Sequence, residues 1–128
     1  MGVSMQFGET GSPRAEKPQI LQLWANSDAT SNFGAQTVML SGPIRHYDLI
    51  LFEFASSTST AYAWTALFLP TQLLAGSCAL SIAGSNNHTG LRTVTAPSDS
   101  SLTFSAATFN GATANGNVVP TAIYGIKL

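Results

Sequence analysis

Residues 47–54 read YDLILFEF, and this stretch decides the fold class. Side chains of a β-strand point alternately to opposite faces of the sheet. Both faces of this stretch are apolar, with Tyr47, Leu49 and Leu51 on one and Ile50, Phe52 and Phe54 on the other. Strands that are apolar on both faces are typical of sheets covered from both sides. The stretch therefore predicts a central strand that lies between a second sheet and a partner subunit.

Further short runs of β-forming residues lie on both sides of this strand and are separated by clusters of turn formers. Asn110-Gly111 and Asn115-Gly116 are dipeptides that favour tight turns. Only residues 70–75 (PTQLLA) favour a helical turn. About eight short strands with regular turns predict an all-β fold, an antiparallel β-sandwich or jelly roll. The other predicted strands cover residues 19–25, 35–40, 62–69, 77–83, 91–95, 101–108 and 122–128.

The chain divides into two parts, residues 1–18 and residues 19–128. The first part is polar, is punctuated by glycine and proline, and has neither helical nor strand periodicity. It is interpreted as an extended N-terminal arm, which is either a docking element or a disordered tail. Residues 19–128 carry the strand pattern and form the β-sandwich domain.

The composition excludes several classes of protein. The 128 residues suffice for one domain, and only 9% of them are charged, against about 25% in a typical soluble domain. A net charge of −1 provides no footprint for nucleic acid. No apolar run of membrane-spanning length occurs, and residues 1–10 do not resemble a secretory signal. The single cysteine, Cys78, excludes an internal disulfide and a cysteine-rich zinc site, so assembly in a bacterial cytoplasm is expected.

The residues that could perform chemistry are few and scattered. Asp48 and Glu53 are five positions apart on one strand, so they face opposite sides and do not form a carboxylate pair. The two histidines, His46 and His88, lie in no metal-binding pattern. We therefore expect no catalytic residue, no cofactor and no metal. Asp48 is expected to pair with Arg45 or His46, or to cap the turn before its strand.

Loops rich in asparagine are the remaining candidates for a binding site. They cover residues 26–34, 85–90 and 110–117, where asparagine side chains could hydrogen-bond a glycan and aromatic rings could stack on sugars. Ordinary hairpin connections are the alternative. Six residues are the candidate ligand contacts: Phe33, Asn86, Asn87, His88, Phe109 and Asn110.

The order of several short motifs resembles the small β domain at the C-termini of bacteriophage tail-fibre and adhesin proteins. The resemblance covers roughly residues 19–128, and the closing Ile-Tyr-Gly-Ile-Lys is its most specific part. The matching residues are Leu23-Trp24, Leu40-Ser41, Tyr47-Asp48-Leu49-Ile50, Arg92 and Ile123-Tyr124-Gly125-Ile126-Lys127. Such domains usually end a longer fibre, whereas residues 1–18 are the only lead segment here.

This resemblance implies a homotrimeric, non-catalytic protein on the virion surface of a tailed bacteriophage, most of all a tail-fibre tip that binds the host. The implied partners are copies of the chain, other virion proteins contacted through the arm, and a host-surface glycan or protein. Nucleic acid and membrane insertion are not expected. Two alternatives remain: a capsid decoration or head-fibre protein, and a carbohydrate-binding module.

Overall fold

A computed structural model describes residues 17–56, 63–83 and 89–128 of the chain. The predicted arm therefore lies outside the described residues except for Lys17 and Pro18. The described residues form ten β-strands, one α-helix (α1, Pro70–Ala75) and a 3-10 turn at Ile44–His46. The strands are β1 (Gln19–Ala25), β2 (Gln36–Met39), β3 (Leu49–Ala55), β4 (Ala63–Phe68), β5 (Cys78–Ala83), β6 (Thr89–Ser98), β7 (Ser101–Phe104), β8 (Thr108–Phe109), β9 (Ala112–Thr113) and β10 (Val119–Lys127).

The strands form two antiparallel sheets, so the predicted all-β sandwich is confirmed. The front sheet has four strands in the order β1-β10-β3-β4. The back sheet has six, in the order β2-β7-β6-β8-β9, and β5 pairs with the other edge of β6. Every pairing between these strands is antiparallel.

The predicted central strand is β3, which lies between β10 and β4 in the front sheet. Its inner side chains Ile50, Phe52 and Phe54 are at most 2% exposed. Leu49 and Leu51 point outward and are half-buried. The predicted alternation of this strand is therefore confirmed, while its cover by a partner subunit stays a prediction.

The core fills the space between the two sheets. Phe52 of the front sheet meets Phe104 of the back sheet edge to face, with ring centroids 6.3 Å apart. Helix α1 closes one end of the sandwich, where Leu73 is fully buried and its carbonyl accepts a hydrogen bond from Thr95. The Gln72 side chain accepts a hydrogen bond from the Leu69 N–H and thereby caps the start of this helix. No helix in the described ranges is long and apolar enough to cross a membrane.

Two strands are longer than predicted because each accommodates a proline in a bulge. β6 continues through Pro97, where its register with β7 shifts between Thr95 and Ser98. β10 starts before Pro120, where its register with β3 shifts between Pro120 and Ala122. A bulge tolerates the missing N–H of proline, which a regular ladder does not. The predicted strand over residues 91–95 was therefore too short, since β6 ends at Ser98 and the turn follows at residues 99 and 100.

The stretch predicted as one strand over residues 101–108 is divided. β7 ends at Phe104, and a separate hairpin joins β8 to β9 through Asn110-Gly111. Both turn residues have positive φ, 52° for Asn110 and 85° for Gly111. That geometry is the one that asparagine and glycine tolerate best, so the predicted turn at this dipeptide is confirmed.

The closing Ile-Tyr-Gly-Ile-Lys motif has a packing explanation at its glycine. The ring of Tyr47 lies flat against Gly125, and a Cβ at residue 125 would lie 2.5 Å from Tyr47 Cγ. Only glycine leaves room for this ring. The backbone of the next residue also takes part, because the Asp48 N–H donates to the Ile126 carbonyl at 2.9 Å.

The expected role of Asp48 was wrong. Its carboxylate accepts a hydrogen bond from the Leu128 N–H at 2.7 Å and so fixes the end of the chain. The 3-10 turn at Ile44–His46 is stabilised instead by Asp99, which is distant in sequence and whose carboxylate accepts a hydrogen bond from the Arg45 N–H at 2.9 Å.

Candidate functional site

A surface cleft of about 350 Å³ lies where the loop after β1 crosses to β2. Its residues come from the end of β1, from residues 26–33 of the loop, and from β2. The residues around it are Trp24, Ala25, Asn26, Ser27, Asp28, Ser31, Asn32, Phe33, Gln36, Val38 and Met39. Most of the rim is therefore polar, and the floor is aromatic and aliphatic.

Asn26 fixes the start of the loop. Its N–H donates to the Thr121 carbonyl and its side-chain amide to the Pro120 carbonyl, both at 2.9 Å. Its side-chain oxygen accepts a hydrogen bond from the Asp28 N–H at 2.9 Å. An asparagine that bonds the backbone two residues ahead forms an Asx turn, so Asn26 both anchors the loop on β10 and turns it.

Asp28 organises the rim of the cleft. Its two carboxylate oxygens accept hydrogen bonds from Thr30 Oγ1 at 3.0 Å and from Ser31 Oγ at 2.6 Å. These hydroxyls, the Ser31 hydroxyl most strongly, hold the pKa of Asp28 below its usual value of 3.8. Hydrogen bonds to a carboxylate favour its charged form, so Asp28 carries a negative charge at neutral pH.

The floor of the cleft is the end of the core. Phe33 contacts Trp24 with centroids 5.9 Å apart and Phe104 with centroids 5.4 Å apart, both edge to face. The residue is 5% exposed, so Phe33, one of the candidate ligand contacts, is mainly a core residue. The loop folds over the open end of the sandwich and buries this ring, which leaves only a small part of it at the cleft.

Arg92 lies beneath this floor and is fully buried. Its Nε donates to the Val118 carbonyl at 2.9 Å, and its Nη1 donates to the Ser105 carbonyl at 2.7 Å. Nη2 makes two longer bonds, to the carbonyls of Asn115 at 3.4 Å and Asn117 at 3.3 Å. The guanidinium carbon lies 5.1 Å from the centroid of the Phe33 ring, within the range of a cation–π interaction.

The buried guanidinium therefore joins the cleft floor to the segment that follows β9. The Asn115 carbonyl also accepts the Phe33 N–H at 2.9 Å. Burial lowers the pKa of Arg92 to about 10, which leaves it protonated at neutral pH. The charge of Arg92 is stabilised by four backbone carbonyls and by the face of the Phe33 ring.

Val118 adopts a backbone conformation that a β-branched residue rarely takes, with φ 46°. It is fully buried, and its carbonyl is the one that accepts from Arg92 Nε. Such a conformation costs about 1–3 kcal/mol and persists only where its surroundings hold it. Arg92 is a part of those surroundings.

No protein-family model matches the chain, and the comparison with curated proteins finds no significant match. The cleft and its support are therefore interpreted from their own chemistry.

The six predicted ligand contacts do not form one site. Phe33 lines the cleft from below, whereas Phe109 and Asn110 belong to the β8–β9 hairpin and do not line it. Asn110 has a structural role, because its side chain accepts a hydrogen bond from the Thr89 N–H at 2.8 Å. The other three, Asn86, Asn87 and His88, lie outside the described residues.

The chemistry that the cleft offers is binding through hydrogen bonds and stacking. Asp28 is its one titratable residue among the lining side chains. No group of three histidine, cysteine, aspartate or glutamate residues that could hold a metal occurs in the described ranges. Ser27 and Asn32 make no side-chain hydrogen bond to the rest of the described chain, so their polar atoms are available to a ligand. Sequence reasoning located this loop but missed Arg92, which supports it.

Proposed function

We propose that this protein is a non-catalytic surface subunit of a tailed bacteriophage virion that attaches to a host-surface glycan through the cleft of loop 26–34. The virion part of the proposal rests on the resemblance of residues 19–128 to tail-fibre and adhesin domains. The binding part rests on one observation, the combination of a polar rim and an aromatic floor in a single cleft.

Sugars are recognised by side chains that pair hydroxyl groups while an apolar surface contacts the ring. Ser27 and Asn32 supply free donors and acceptors at the rim, and Asp28 supplies a charged acceptor. Trp24 is half-buried and lies beside Phe33 at the floor. The cleft volume is at the lower end of the range of about 300–1,000 Å³ for small-molecule sites. A few terminal sugars of a glycan suit this size better than a long chain segment.

The loop is held in place before any ligand arrives, which favours affinity. Asn26 fixes it to β10, the Asp28 carboxylate gathers Thr30 and Ser31, and the Phe33 N–H joins it to Asn115. A site that is already ordered loses less conformational entropy on binding.

A matched pair of serine variants tests the binding part. Ser27→Ala removes a hydroxyl from the rim, and Ser81→Ala removes one from an exposed position on β5, outside the cleft. The probe is an array of bacterial surface polysaccharides and their oligosaccharide fragments. We expect the unchanged protein and Ser81→Ala to bind the same fragments, and Ser27→Ala combined with Asn32→Ala to lose that binding. Equal binding by all variants would place the ligand elsewhere.

Antibody labelling of purified virions tests the virion part. Label at the tail end agrees with host attachment. Label on the capsid would instead support the decoration alternative, and a protein absent from virions but active on the array would be a carbohydrate-binding module.

A further inference from the structure

The outer face of the front sheet is apolar over two neighbouring rows of side chains, apart from Gln22 at the β1 edge. One cross-strand row joins Ile20, Ile126 and Leu49. The next row, two residues along each strand, joins Gln22, Tyr124, Leu51 and Leu67. Leu69 directly follows β4 at the end of the first row. We call this surface the apolar face; its members are Ile20, Leu49, Leu51, Leu67, Leu69, Tyr124 and Ile126.

The apolar face is well exposed at its two edges. Ile20 on β1 is 61% exposed and Leu67 on β4 is 54% exposed. Between them Leu49, Leu51, Tyr124 and Ile126 are half-buried. The two rows themselves contain no charged residue, and Glu53 lies beyond the second row, opposite Thr65.

The outer face of the back sheet has a different character. Its exposed or half-exposed positions on β5 and β6 include Ala79, Ser81 and Thr93. Thr37 and Thr103 extend this polar surface, and their hydroxyls hydrogen-bond to each other at 2.7 Å. The outer face of the back sheet is therefore mainly small or polar, with Leu91 and Met39 as its large apolar side chains, whereas the front sheet carries leucine and isoleucine in adjacent rows. Solubility alone would not require that asymmetry.

The area of the apolar face suits a specific contact. Ile20, Leu67 and Leu69 are 61%, 54% and 48% exposed and the other four members are half-buried, so the face presents roughly 500 Å² per copy and a pair would bury about 1,000 Å², the lower limit of specific interfaces. The surface has almost no charge to match a charged partner. A second identical face matches it in both chemistry and extent.

We infer that the apolar face is where two copies of this chain pack together, front sheet against front sheet. A surface that packs against the same surface of a second copy forms a two-fold symmetric pair, because both copies contribute identical residues to the contact. A three-fold ring needs two different patches on every copy, whereas Ile20, Leu67 and Leu69 share this one face and the exposed Met39 and Leu91 lie on separate strands of the back sheet. The geometry therefore points to a pair rather than to the trimer that the resemblance implies. This contact is independent of the cleft.

Glutamate substitutions at matched exposed positions test the inference. Leu67→Glu places a charge in the apolar face, whereas Leu91→Glu places one at a 39% exposed position on β6, outside both the apolar face and the cleft. Ile20→Glu, at the opposite edge of the apolar face, is a second test in case Leu67→Glu does not fold. Molecular mass is measured by light scattering on the full chain, and circular dichroism confirms that each variant is folded.

We expect twice 13.4 kDa for the unchanged protein and for Leu91→Glu, and 13.4 kDa for folded Leu67→Glu or Ile20→Glu. A monomeric unchanged protein would overturn the inference, as would a pair that survives both substitutions in the apolar face. A trimer would overturn the two-fold packing.

Discussion

Removal of the buried guanidinium of Arg92 is the most informative perturbation of this fold. Arg92→Met keeps a long unbranched side chain and deletes the charge and its donors. The four carbonyls of Ser105, Asn115, Asn117 and Val118 remain, because they belong to the backbone. Replacement of a buried ion pair by apolar residues can be neutral when both partners are removed. Both partners cannot be removed here, because the four acceptors are backbone carbonyls.

The size of the effect follows from the contacts. Four hydrogen bonds from a charged donor at about 1.5 kcal/mol each give roughly 6 kcal/mol, with the two longer ones contributing less. Burial lowers the pKa of Arg92 to about 10, which corresponds to a cost on the order of 3 kcal/mol for keeping the charge inside. The difference is about 3 kcal/mol. It is a large part of the roughly 5–15 kcal/mol that keeps a domain folded.

Urea unfolding followed by fluorescence measures this quantity. We expect Arg92→Met to lose about 3 kcal/mol of unfolding free energy, in line with other broken buried charge networks. Arg92→Lys should also lose stability, since an ammonium cannot span carbonyls on both sides and stack on Phe33. Arg45→Met, at an exposed position, should change stability by less than about 0.5 kcal/mol. A loss below about 1 kcal/mol for Arg92→Met would refute the role assigned to this residue.

Three further predictions concern other parts of the molecule. Gly125→Ala should lower the melting temperature, because the added methyl group clashes with the Tyr47 ring at a cost of about 1–3 kcal/mol. Gly34→Ala should not, because a Cβ there meets nothing within 4 Å. Equal melting temperatures of the two variants would contradict the packing of Tyr47 on Gly125. Asn110→Ala should lower the unfolding free energy by about 1 kcal/mol, because the hydrogen bond to the Thr89 N–H is lost and alanine tolerates the positive φ poorly. Asn110→Gly should lower it less, because glycine tolerates that φ. The pKa of Asp28 is lower in the folded than in the unfolded chain, so the stability that its carboxylate adds is present above the unfolded pKa and is lost as the pH falls through the folded pKa. An NMR titration of Asp28 should have its midpoint below 3.8. A midpoint at or above that value would contradict the hydrogen bonds to Thr30 and Ser31.

The strands could be predicted because their signals are local. β1 begins and ends where the run Gln19–Ala25 does, and the alternation in residues 47–54 sorts β3 into an inner and an outer face. The Asn110-Gly111 turn follows from the positive φ that these residues tolerate. The predicted limits of β6 and β10 were too narrow, because a proline normally ends a strand. Whether a bulge accommodates the proline depends on the pairing with the neighbouring strand.

The site could be predicted only in part, because its support comes from distant segments. Gly90, Arg92, Val94 and Ala96 alternate along β6 and all lie on its inner face. A charged side chain is nevertheless expected outside unless partners are known, and its partners are carbonyls more than ten residues further along. The burial of Phe33 could not be predicted for the same reason, since its ring packs on Phe104 and its N–H donates to the Asn115 carbonyl, both distant in sequence.

Competition with virions for the host surface tests the proposed attachment most directly. The purified protein is added to host cells before the phage, and the rate of adsorption is measured. The account predicts that the unchanged protein and Ser81→Ala slow adsorption, and that folded Ser27→Ala combined with Asn32→Ala does not. Adsorption that is unaffected by the unchanged protein, or slowed equally by the cleft variant, would contradict attachment through this cleft.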